Sequence, residues 1–359
     1  MMSGNRSNDF VRKAGIALAL LLVFYLCIYW VQTGWDAYKV RILNLSAIYI
    51  GITLGLNLCN GFAGQFSLGI AGFMAVGAYT TALLTMSPQT KAAVFFIDPL
   101  IWPLNSIQWG FLPALLMAGL VSGLVGFAVG APAIRFRDDY LGITTLGFAE
   151  IIRVVFTNTR SITNGALGLK GLPPHTNLYW SWTFALICIL LMTRLTNSSY
   201  GRALKAIRDD EVAAEAMGVN LFYHKCLAFV ISAMMAGVGG GLLGNLITTI
   251  DPNMFRFPLT FTVLMMAVLG GLGSITGSVI AATLVTVAME VLRALEEPRV
   301  ILGVFLPGIP GMRMVVFSIA LMVVILFYPK GFMGDRELSR DSFTNLAARF
   351  RRTFLHKQV

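Results

Sequence analysis

Charged residues are scarce in this chain of 359 residues, where only 12% of the positions are Asp, Glu, Lys or Arg. A soluble domain usually has about 25% charged and about 45–50% apolar residues, whereas 57% of this chain is hydrophobic. Its mean hydropathy is +0.75. The charge needed to cover a water-soluble surface of this size is missing, which argues against a soluble enzyme, a disordered chain and a nucleic-acid reader. The composition is typical of an integral membrane protein.

Cysteine and histidine are also sparse. The cysteines lie in or beside apolar segments without metal-like spacing, and we interpret them as small hydrophobic residues: Cys27, Cys59, Cys188 and Cys226. The three histidines are too scattered for a metal site. The sequence has no G-x-x-x-x-G-K-[ST] phosphate loop, no H-E-x-x-H and no G-x-S-x-G elbow. We therefore expect a chain that is not an enzyme and binds no cofactor or metal, with any ATP chemistry in another polypeptide.

The basic residues give a formal net charge of +10, but their positions do not indicate nucleic acid as a partner. They lie at the termini and in segments between long apolar runs. Basic residues at such positions contact lipid head groups and set the orientation of membrane spans. The partners that we expect for these charges are membrane lipids.

Long apolar runs follow one another along the chain, and about 20 apolar residues cross a bilayer as a helix. The first run ends at Tyr29-Trp30 without a small-residue cleavage site, so it predicts an uncleaved helix rather than a signal peptide. The stretch 258–292 is too long for one span, and we divide it at the glycines of 270–274. The sequence thus predicts an all-α integral membrane protein with about ten transmembrane helices, in the runs 14–32, 42–60, 66–86, 109–134, 140–157, 177–195, 226–250, the two halves of 258–292, and 314–328.

The distribution of Lys and Arg orients these runs. With ten crossings, 17 of the basic residues fall on the side that holds both termini and nine fall on the other side. We therefore predict cytoplasmic N- and C-termini, a cytoplasmic segment 196–225, and two long outer segments, 87–108 and 158–176. Residues 1–334 would form the transmembrane domain. Residues 335–359 would form a basic cytoplasmic tail, either as an amphipathic helix on the inner leaflet or as a solvated segment.

The cytoplasmic segment 198–220 is the most informative stretch. Its middle, Arg202 to Met217, has no Gly or Pro and is rich in Ala, Leu, Arg and Glu, which predicts a helix that ends at Gly218. Ala203, Ile207 and Ala214 fall near one face of that helix. A charged helix on an apolar protein would suit the docking of a soluble partner, and a plain connecting loop is the alternative.

This segment resembles the coupling loop of permease subunits in ABC importers, most closely in the branched-chain amino acid permease family. Four other blocks are similar to the same family. They are D-Y-L-G-I-T-T-L-G-F-A-E-I-I-R at 139–153, T-N-G-A-L-G-L at 163–169, V-L-G-G-L-G-S-I-T-G at 268–277 and P-K-G-F-M-G at 329–334. The resemblance covers about residues 42–334, and it is greatest to the second of the family's two permease subunits.

The resemblance implies a multi-pass permease of the bacterial inner membrane. Its implied partners are a second homologous permease subunit, two cytosolic ATPases that hold ATP and Mg²⁺, and a periplasmic substrate-binding protein. The implied substrates are branched-chain amino acids, and permeases for urea and short amides are closely similar. The binding protein would release its ligand to the outer segments, with 158–176 as the best candidate.

The segment also departs from the general permease signature E-A-A-x-x-x-G. Here the corresponding residues are Val212-Ala213-Ala214-x-x-x-Gly218, with Glu211 one place earlier, and no Leu-Pro follows. The docking role therefore carries over to the segment better than to each residue. The residues that we expect at the ATPase groove are Arg202, Arg208, Asp209, Glu211, Glu215 and Gly218.

Candidate substrate-path residues lie in three places. Glu150 and Arg153 sit in an apolar run at i, i+3 spacing, where charges face a cavity or a partner; an internal ion pair is the alternative. Asn57, Asn60 and Gln65 lie in a glycine-rich join between the second and third helices, where a broken helix could expose its backbone to a polar substrate. Close helix packing is the alternative there. The third place is the outer block with Thr163 and Asn164.

Two other function classes stay open at this point. A self-sufficient secondary transporter would need ion-coupling carboxylates within its spans, and only Glu150 and Glu290 qualify. The second class is an intramembrane enzyme or a structural scaffold. The enzyme would need a catalytic constellation, and none is visible in the sequence.

Overall fold

The computed structural model describes residues 3–136, 139–293, 296, 299–301, 304–306, 311–327 and 331–334. The predicted basic tail, 335–359, lies outside these residues. In chain order the helices are α1 (Ser3–Gly34), α2 (Ala37–Asn57), α3 (Ile70–Thr85), α4 (Pro88–Val94), α5 (Phe111–Ala133), α6 (Asp139–Asn158), α7 (Arg160–Thr163), α8 (Leu178–Thr196), α9 (Ser199–Asp209), α10 (Glu211–Ala216), α11 (Leu221–Ile247), α12 (Phe257–Gly270), α13 (Ile275–Arg293) and α14 (Met312–Phe327). The strands are β1 (Leu169–Lys170), β2 (Thr249–Ile250), β3 (Arg299–Ile301) and β4 (Val304–Leu306), paired antiparallel as β1–β2 and β3–β4.

Each predicted apolar run coincides with a helix of the described chain. Six helices are long and apolar enough to cross a membrane, namely α2, α5, α6, α8, α11 and α13. A seventh span results if α3 and α4, which meet at a bend of 120°, are counted as one. Residues Leu21–Gly34 of α1 and the whole of α12 are apolar but shorter. The predicted division of 258–292 is confirmed, because α12 ends at Gly270 and α13 begins at Ile275.

The core is built by helices that approach one another through small residues. A side chain on Gly77 of α3 would lie 2.0 Å from the carbonyl oxygen of Gly237 on α11, and one on Gly240 would lie 2.1 Å from that of Met74. Small residues allow such backbone contacts, which favour helix association in an apolar solvent. The contact fixes α3 and α11 at the centre of the bundle, with α5 packed against both.

The loops gather into two groups at opposite ends of the helices. At one end, the Phe332 N–H donates to the Leu269 carbonyl (2.8 Å) and Gly142 packs against Phe66. We call this end the α9 face; its described residues are 61–69, 134–136, 139–142, 197–220, 270–274 and 331–334. At the other end, the Ile101 N–H donates to the Ser161 carbonyl (3.3 Å). We call this end the α4 face; it comprises residues 84–110, 159–177 and 248–256.

Two boundaries differ from the sequence prediction. The third helix begins at Ile70 rather than at residue 66, because 66–69 continue the irregular join after α2. The predicted outer segment 158–176 contains the single turn α7 and the strand β1, which pairs with β2. Leu172 continues this pairing by donating its N–H to the Thr248 carbonyl (3.1 Å). Backbone pairing with a distant segment, which local composition does not show, orders this loop.

A buried lysine organises the other predicted outer segment, 87–108. The Lys91 side chain is 1% exposed, and its Nζ donates to the carbonyls of Leu104 (2.7 Å) and Ile107 (2.5 Å). Burial lowers the pKa of Lys91 below its ordinary value of 10.5. The neutral amine retains two N–H groups, so it can satisfy both carbonyls without a charge.

The lowered pKa predicts a pH-dependent stability. Between the folded and the ordinary pKa the unfolded chain binds more protons, so the free energy of unfolding rises with pH in that window. We expect the melting temperature of the wild type in detergent to rise relative to Lys91→Met as the pH increases toward the ordinary lysine pKa of 10.5. Parallel melting curves for the two proteins at every pH would contradict the account.

Candidate functional site

Helix α9 is fixed on the bundle by its cap and by one glycine. The Ser198 hydroxyl accepts the Gly201 N–H (3.4 Å), which starts the helix. A side chain on Gly201 would lie 2.4 Å from the carbonyl oxygens of Leu195 and Thr196 at the end of α8. Ile207, six residues further along α9, is buried. The helix therefore lies in direct backbone contact with a candidate membrane span.

The predicted single helix from Arg202 to Met217 is wrong in one respect, because the structure has two helices. Asp210 is extended (φ −159°, ψ 111°), and its carboxylate accepts the Ala213 N–H (3.0 Å) as the N-cap of α10. An Asp side chain that caps a new helix competes with continuation of the first. The predicted helix end is confirmed, because Gly218 has a φ of +83° and follows the last turn of α10.

Arg208 connects α9 to two other parts of the α9 face. Its Nη1 donates to the Gly61 carbonyl (3.3 Å), and its Nε and Nη2 each lie 3.1 Å from Oδ1 of Asp209. Gly64 and Gly273 also lie against it, because a side chain on either would come within 3.0 Å of an Arg208 atom. A displacement of α9 would thus be transmitted through Arg208 to the end of α2 and to the α12–α13 turn.

The two acidic residues of α10, Glu211 and Glu215, have different surroundings. Glu211 accepts a hydrogen bond from Nζ of Lys225, whose side chain is only 14% exposed. Glu215 lies on the exposed side of the same helix, and beside it Val212 and Met217 are 79% and 84% exposed. Two large apolar side chains this open to solvent among charges are typical of a surface that a partner covers.

A cavity of about 570 Å³ lies between α10 and the rest of the α9 face. It is lined by carboxylates, basic groups and aromatic rings, among them Asp209, Glu215, Arg135, Arg208, Phe136 and Phe222. The mixture of charge and apolar surface suits a protein partner better than a small apolar ligand. Arg202 is not among the residues that line this cavity. Within the described part of the chain, its guanidinium donates to the Ser199 hydroxyl and to the Asn197 carbonyl, which precedes α9.

The join after α2 is a π-helical turn, Leu58–Phe62, whose residues are all buried. Asn57 precedes it and holds the α12–α13 turn: its Nδ2 donates to the Ser274 carbonyl (2.9 Å) and to the Ser278 hydroxyl (2.7 Å). Its Oδ1 accepts the Gly273 N–H (2.8 Å). These contacts give Asn57 a packing role between two helix ends.

The other two polar residues of this join have different partners. The Asn60 side chain pairs with the backbone of Ser67 through Oδ1 (3.1 Å) and Nδ2 (3.3 Å). Gln65 is 2% exposed, and within the described chain its Nε2 has no hydrogen-bond partner. A buried amide nitrogen without a partner costs about 1–3 kcal/mol, which makes Gln65 the member of this group with binding capacity to spare.

Glu150 and Arg153 form the internal ion pair that was one of their two interpretations. Nε of Arg153 lies 2.6 Å from Oε2 of Glu150. The Arg153 side chain is 21% exposed and the Glu150 side chain is 40% exposed. They lie on α6, which packs closely on α3, since Gly72 of α3 is in contact with Ala149. A role of Glu150 and Arg153 in the substrate path stays a prediction.

A double-mutant cycle tests the ion pair. We expect Glu150→Gln and Arg153→Gln each to lower the free energy of unfolding by about 1–2 kcal/mol, because each leaves a half-buried charge without its partner. The double variant should recover most of that loss in thermal unfolding measurements in detergent. Additive losses in the double variant would contradict the pairing.

Thr163 and Asn164 lie on the α4 face, at the opposite end of the helices from the polar join after α2. The Thr163 hydroxyl donates to the Phe156 carbonyl (2.6 Å), and Nδ2 of Asn164 donates to the Gly168 carbonyl (2.8 Å). Asn164 has a φ of +59°, which Asn tolerates better than most residues. Both side chains shape the turn after α6. The structure thus brings together the coupling residues and the polar join, and it separates them from Thr163 and Asn164.

Comparison with known proteins identifies the family. Residues 38–326 match the family described as "Branched-chain amino acid transport system / permease component". The chain belongs to this permease family. It is 32% identical over 321 residues to the high-affinity branched-chain amino acid transport system permease protein LivM of Salmonella typhimurium, a match covering 80% of this chain and 70% of LivM.

More distant relatives show the breadth of the similarity. The probable branched-chain amino acid transport permease protein LivM of Methanocaldococcus jannaschii is 26% identical, with 83% of this chain and 93% of that one covered. The permease protein LivH of Salmonella typhimurium is 25% identical, with 83% and 95% covered. No solved structure matches. This permease is therefore a transport subunit of an ABC importer, with several membrane-spanning helices and with ATPase and substrate-binding components as its partners.

Sequence reasoning missed several residues of this permease's site. Lys225 was counted only as one more basic residue, although it holds Glu211. Gly61 and Gly273 meet Arg208 from distant positions in the chain, and no local pattern indicates that contact. The exposed pair Val212 and Met217 had a visible signal, because both are large apolar residues in a charged segment.

Proposed function

We propose that this permease crosses the bacterial inner membrane ten times, with both termini and the α9 face in the cytoplasm. The grouping of loops supports this topology. Segments that the charge count assigns to the inside contact one another on the α9 face, and those assigned to the outside contact one another on the α4 face. In addition, the residues after α14 return to the α9 face, because the Phe332 N–H donates to the Leu269 carbonyl there. An even number of crossings explains that return.

The second step of the proposal is that α9 and α10 receive the ATPase. The observation that carries it is the reach of Arg208, which joins α9 to the Gly61 carbonyl at the end of α2 and lies against Gly273. The ATPase would contact the exposed side, with Glu215, Val212 and Met217, and the movement would pass through Arg208 to the spans. Gly218 shapes the end of α10, and Asp209 holds the guanidinium in place.

Coupling of this kind is a shift of populations between outward-open and inward-open bundles. Nucleotide binding can bias that equilibrium only through contacts that differ between the two states. The α9–α10 unit fits such a role because its buried side is tied to the spans and its exposed side is open to a partner. ATP and Mg²⁺ would bind to the ATPases, since the sequence lacks the phosphate loop.

The proposed assembly contains a second homologous permease subunit, two cytosolic ATPases and a periplasmic binding protein. The proposed substrates are branched-chain amino acids, since the relatives named above carry that description. The binding protein would dock on the α4 face, where β1, β2 and the Lys91 loop form an ordered surface. Asn57 and Asn60 would position the cytoplasmic end of the path, with Gln65 as the residue able to contact a polar solute.

Tagged pull-down in mild detergent, with mass spectrometry of the recovered proteins, tests this assembly. We expect an ATPase and a second permease at defined stoichiometry. ATP-dependent uptake of leucine by the reconstituted assembly with its binding protein would then test the substrate class, with urea as the competing solute. A chain that purifies alone and moves solute in liposomes would overturn the proposal.

A further inference from the structure

A second cavity on the α9 face, of about 610 Å³, includes Arg208 and Gly273 of the proposed coupling path in its lining, and the proposed coupling assigns it no ligand. It lies between the end of α8 and the start of α13, with α9 above it. Its polar lining includes the hydroxyls of Thr193 and Thr276 and the amide of Asn197. Lys205 and Arg208 supply two positive charges, and no carboxylate lines the cavity among the described residues.

The Lys205 ammonium is the less committed of the two charges. It lies 5.9 Å from the centre of the Phe62 ring, and it forms no ion pair among the described residues. Arg208 is already bound to Asp209 and to the Gly61 carbonyl. A half-buried lysine side chain beside an aromatic ring, in a cavity that threonines also line, is well placed to meet an anion.

Part of the lining of this cavity is apolar. Ile189 and Val279 line it. Next to them, Leu190 of α8 and Ile280 of α13 are 54% and 44% exposed, and both lie on helices long enough to span the membrane. The cavity thus combines basic and hydroxyl-bearing residues with apolar residues that are next in sequence to exposed apolar side chains on two candidate spans.

We propose that this cavity binds one anionic phospholipid of the inner leaflet, with its phosphate at Lys205 and an acyl chain between α8 and α13. Basic pockets between membrane helices on the cytoplasmic side suit such head groups. The apolar half of the cavity selects a lipid over free phosphate. The site rests on the cytoplasmic placement of the α9 face, and it would link lipid charge to the helix that we propose as the ATPase dock.

Native mass spectrometry of the assembled importer tests the site. The complex is taken from nanodiscs with equal amounts of phosphatidylglycerol and phosphatidylethanolamine, and the lipid retained on this subunit is measured. We expect one phosphatidylglycerol in preference to phosphatidylethanolamine. Lys205→Gln should reduce that preference about fivefold, the loss expected for one basic residue at a membrane surface. Val279→Phe, which fills the apolar half, should reduce retention of both lipids.

Arg194→Gln is the matched control, because it removes a basic residue from the same end of α8 but does not line the cavity. It should retain the wild-type preference. Equal retention of the two lipids by the wild type, or the same preference in Lys205→Gln as in the wild type, would overturn the proposal. Displacement of the lipid by millimolar glycerol phosphate would assign the site to a soluble anion instead. None of these readouts depends on ATP hydrolysis, so a failure here is distinct from a failure of the coupling proposal.

Discussion

Replacing both Glu211 and Glu215 by lysine abolishes transport-coupled ATP hydrolysis in our account, with at least about a tenfold loss. Reversing the charge of Glu215 on the exposed side of α10, and that of Glu211 beside Lys225, places like charges against a docking surface that accepts carboxylates, which costs several kcal/mol. The measurement is ATP hydrolysis stimulated by the loaded binding protein in proteoliposomes. Insertion and recovery of the permease should remain near the wild-type level, because Glu215 has no partner among the described residues and the Glu211 side chain, which loses its pairing with Lys225, is 50% exposed.

The Lys225 contact calls for a control, because Glu211 is bound to it inside the permease. Glu211→Lys combined with Lys225→Glu restores that ion pair with the charges exchanged. If coupling stays lost in this variant, Glu211 acts at the partner surface. Recovery of coupling would assign Glu211 to internal stability and leave Glu215 as the acidic contact. Unchanged coupling in the double lysine variant would remove α10 from the docking surface.

The second large effect is expected at Arg208. Arg208→Ala removes the link from α9 to the Gly61 carbonyl and leaves a gap against Gly64 and Gly273. We expect the stimulation of ATP hydrolysis by the loaded binding protein to fall by about tenfold or more, whereas the ATPase still co-purifies. The reason is that docking surfaces on α10 stay intact while movement of α9 no longer reaches α2.

Arg202→Ala is the comparison for this prediction, because Arg202 contacts only the first turn of its own helix. It removes the same charge from α9 without touching the bundle. A loss in Arg202→Ala as large as that in Arg208→Ala would mean that net charge on α9, rather than the Gly61 contact, governs coupling. Loss of ATPase co-purification in Arg208→Ala would place this residue in docking instead of transmission.

The helical architecture could be predicted because an apolar run long enough to cross a bilayer has one stable solution, a helix with its backbone hydrogen bonds satisfied internally. Even the division of 258–292 was visible, since glycines at 270–273 interrupt an overlong run. Gly218 was recognisable as a helix end for the same local reason. Each of these features depends on residues that are neighbours in the sequence.

The features that were missed depend on contacts between distant residues. Asp210 could have continued a helix, and its role as the N-cap of α10 shows only in three dimensions. The hydrogen bonds of Asn57 reach residues more than 200 positions away. Four complete helices, α8 to α11, separate β1 from its partner β2 in the sequence. The substrate path through the polar residues of the glycine-rich join stays a prediction. The hydrogen bonds of Asn57 hold two helix ends together, and those of Asn60 lie within the join itself.

The most direct test of the coupling account is photo-crosslinking from the exposed side of α10. A photoreactive amino acid is placed at Val212 or at Met217 in the full importer, and the adducts are identified by mass spectrometry. A third variant carries it at Trp102, which is 79% exposed on the α4 face. The account predicts adducts with the ATPase from Val212 and Met217 and none from Trp102. An assembled importer that gives no ATPase adduct from α10, or gives one from Trp102, would contradict it.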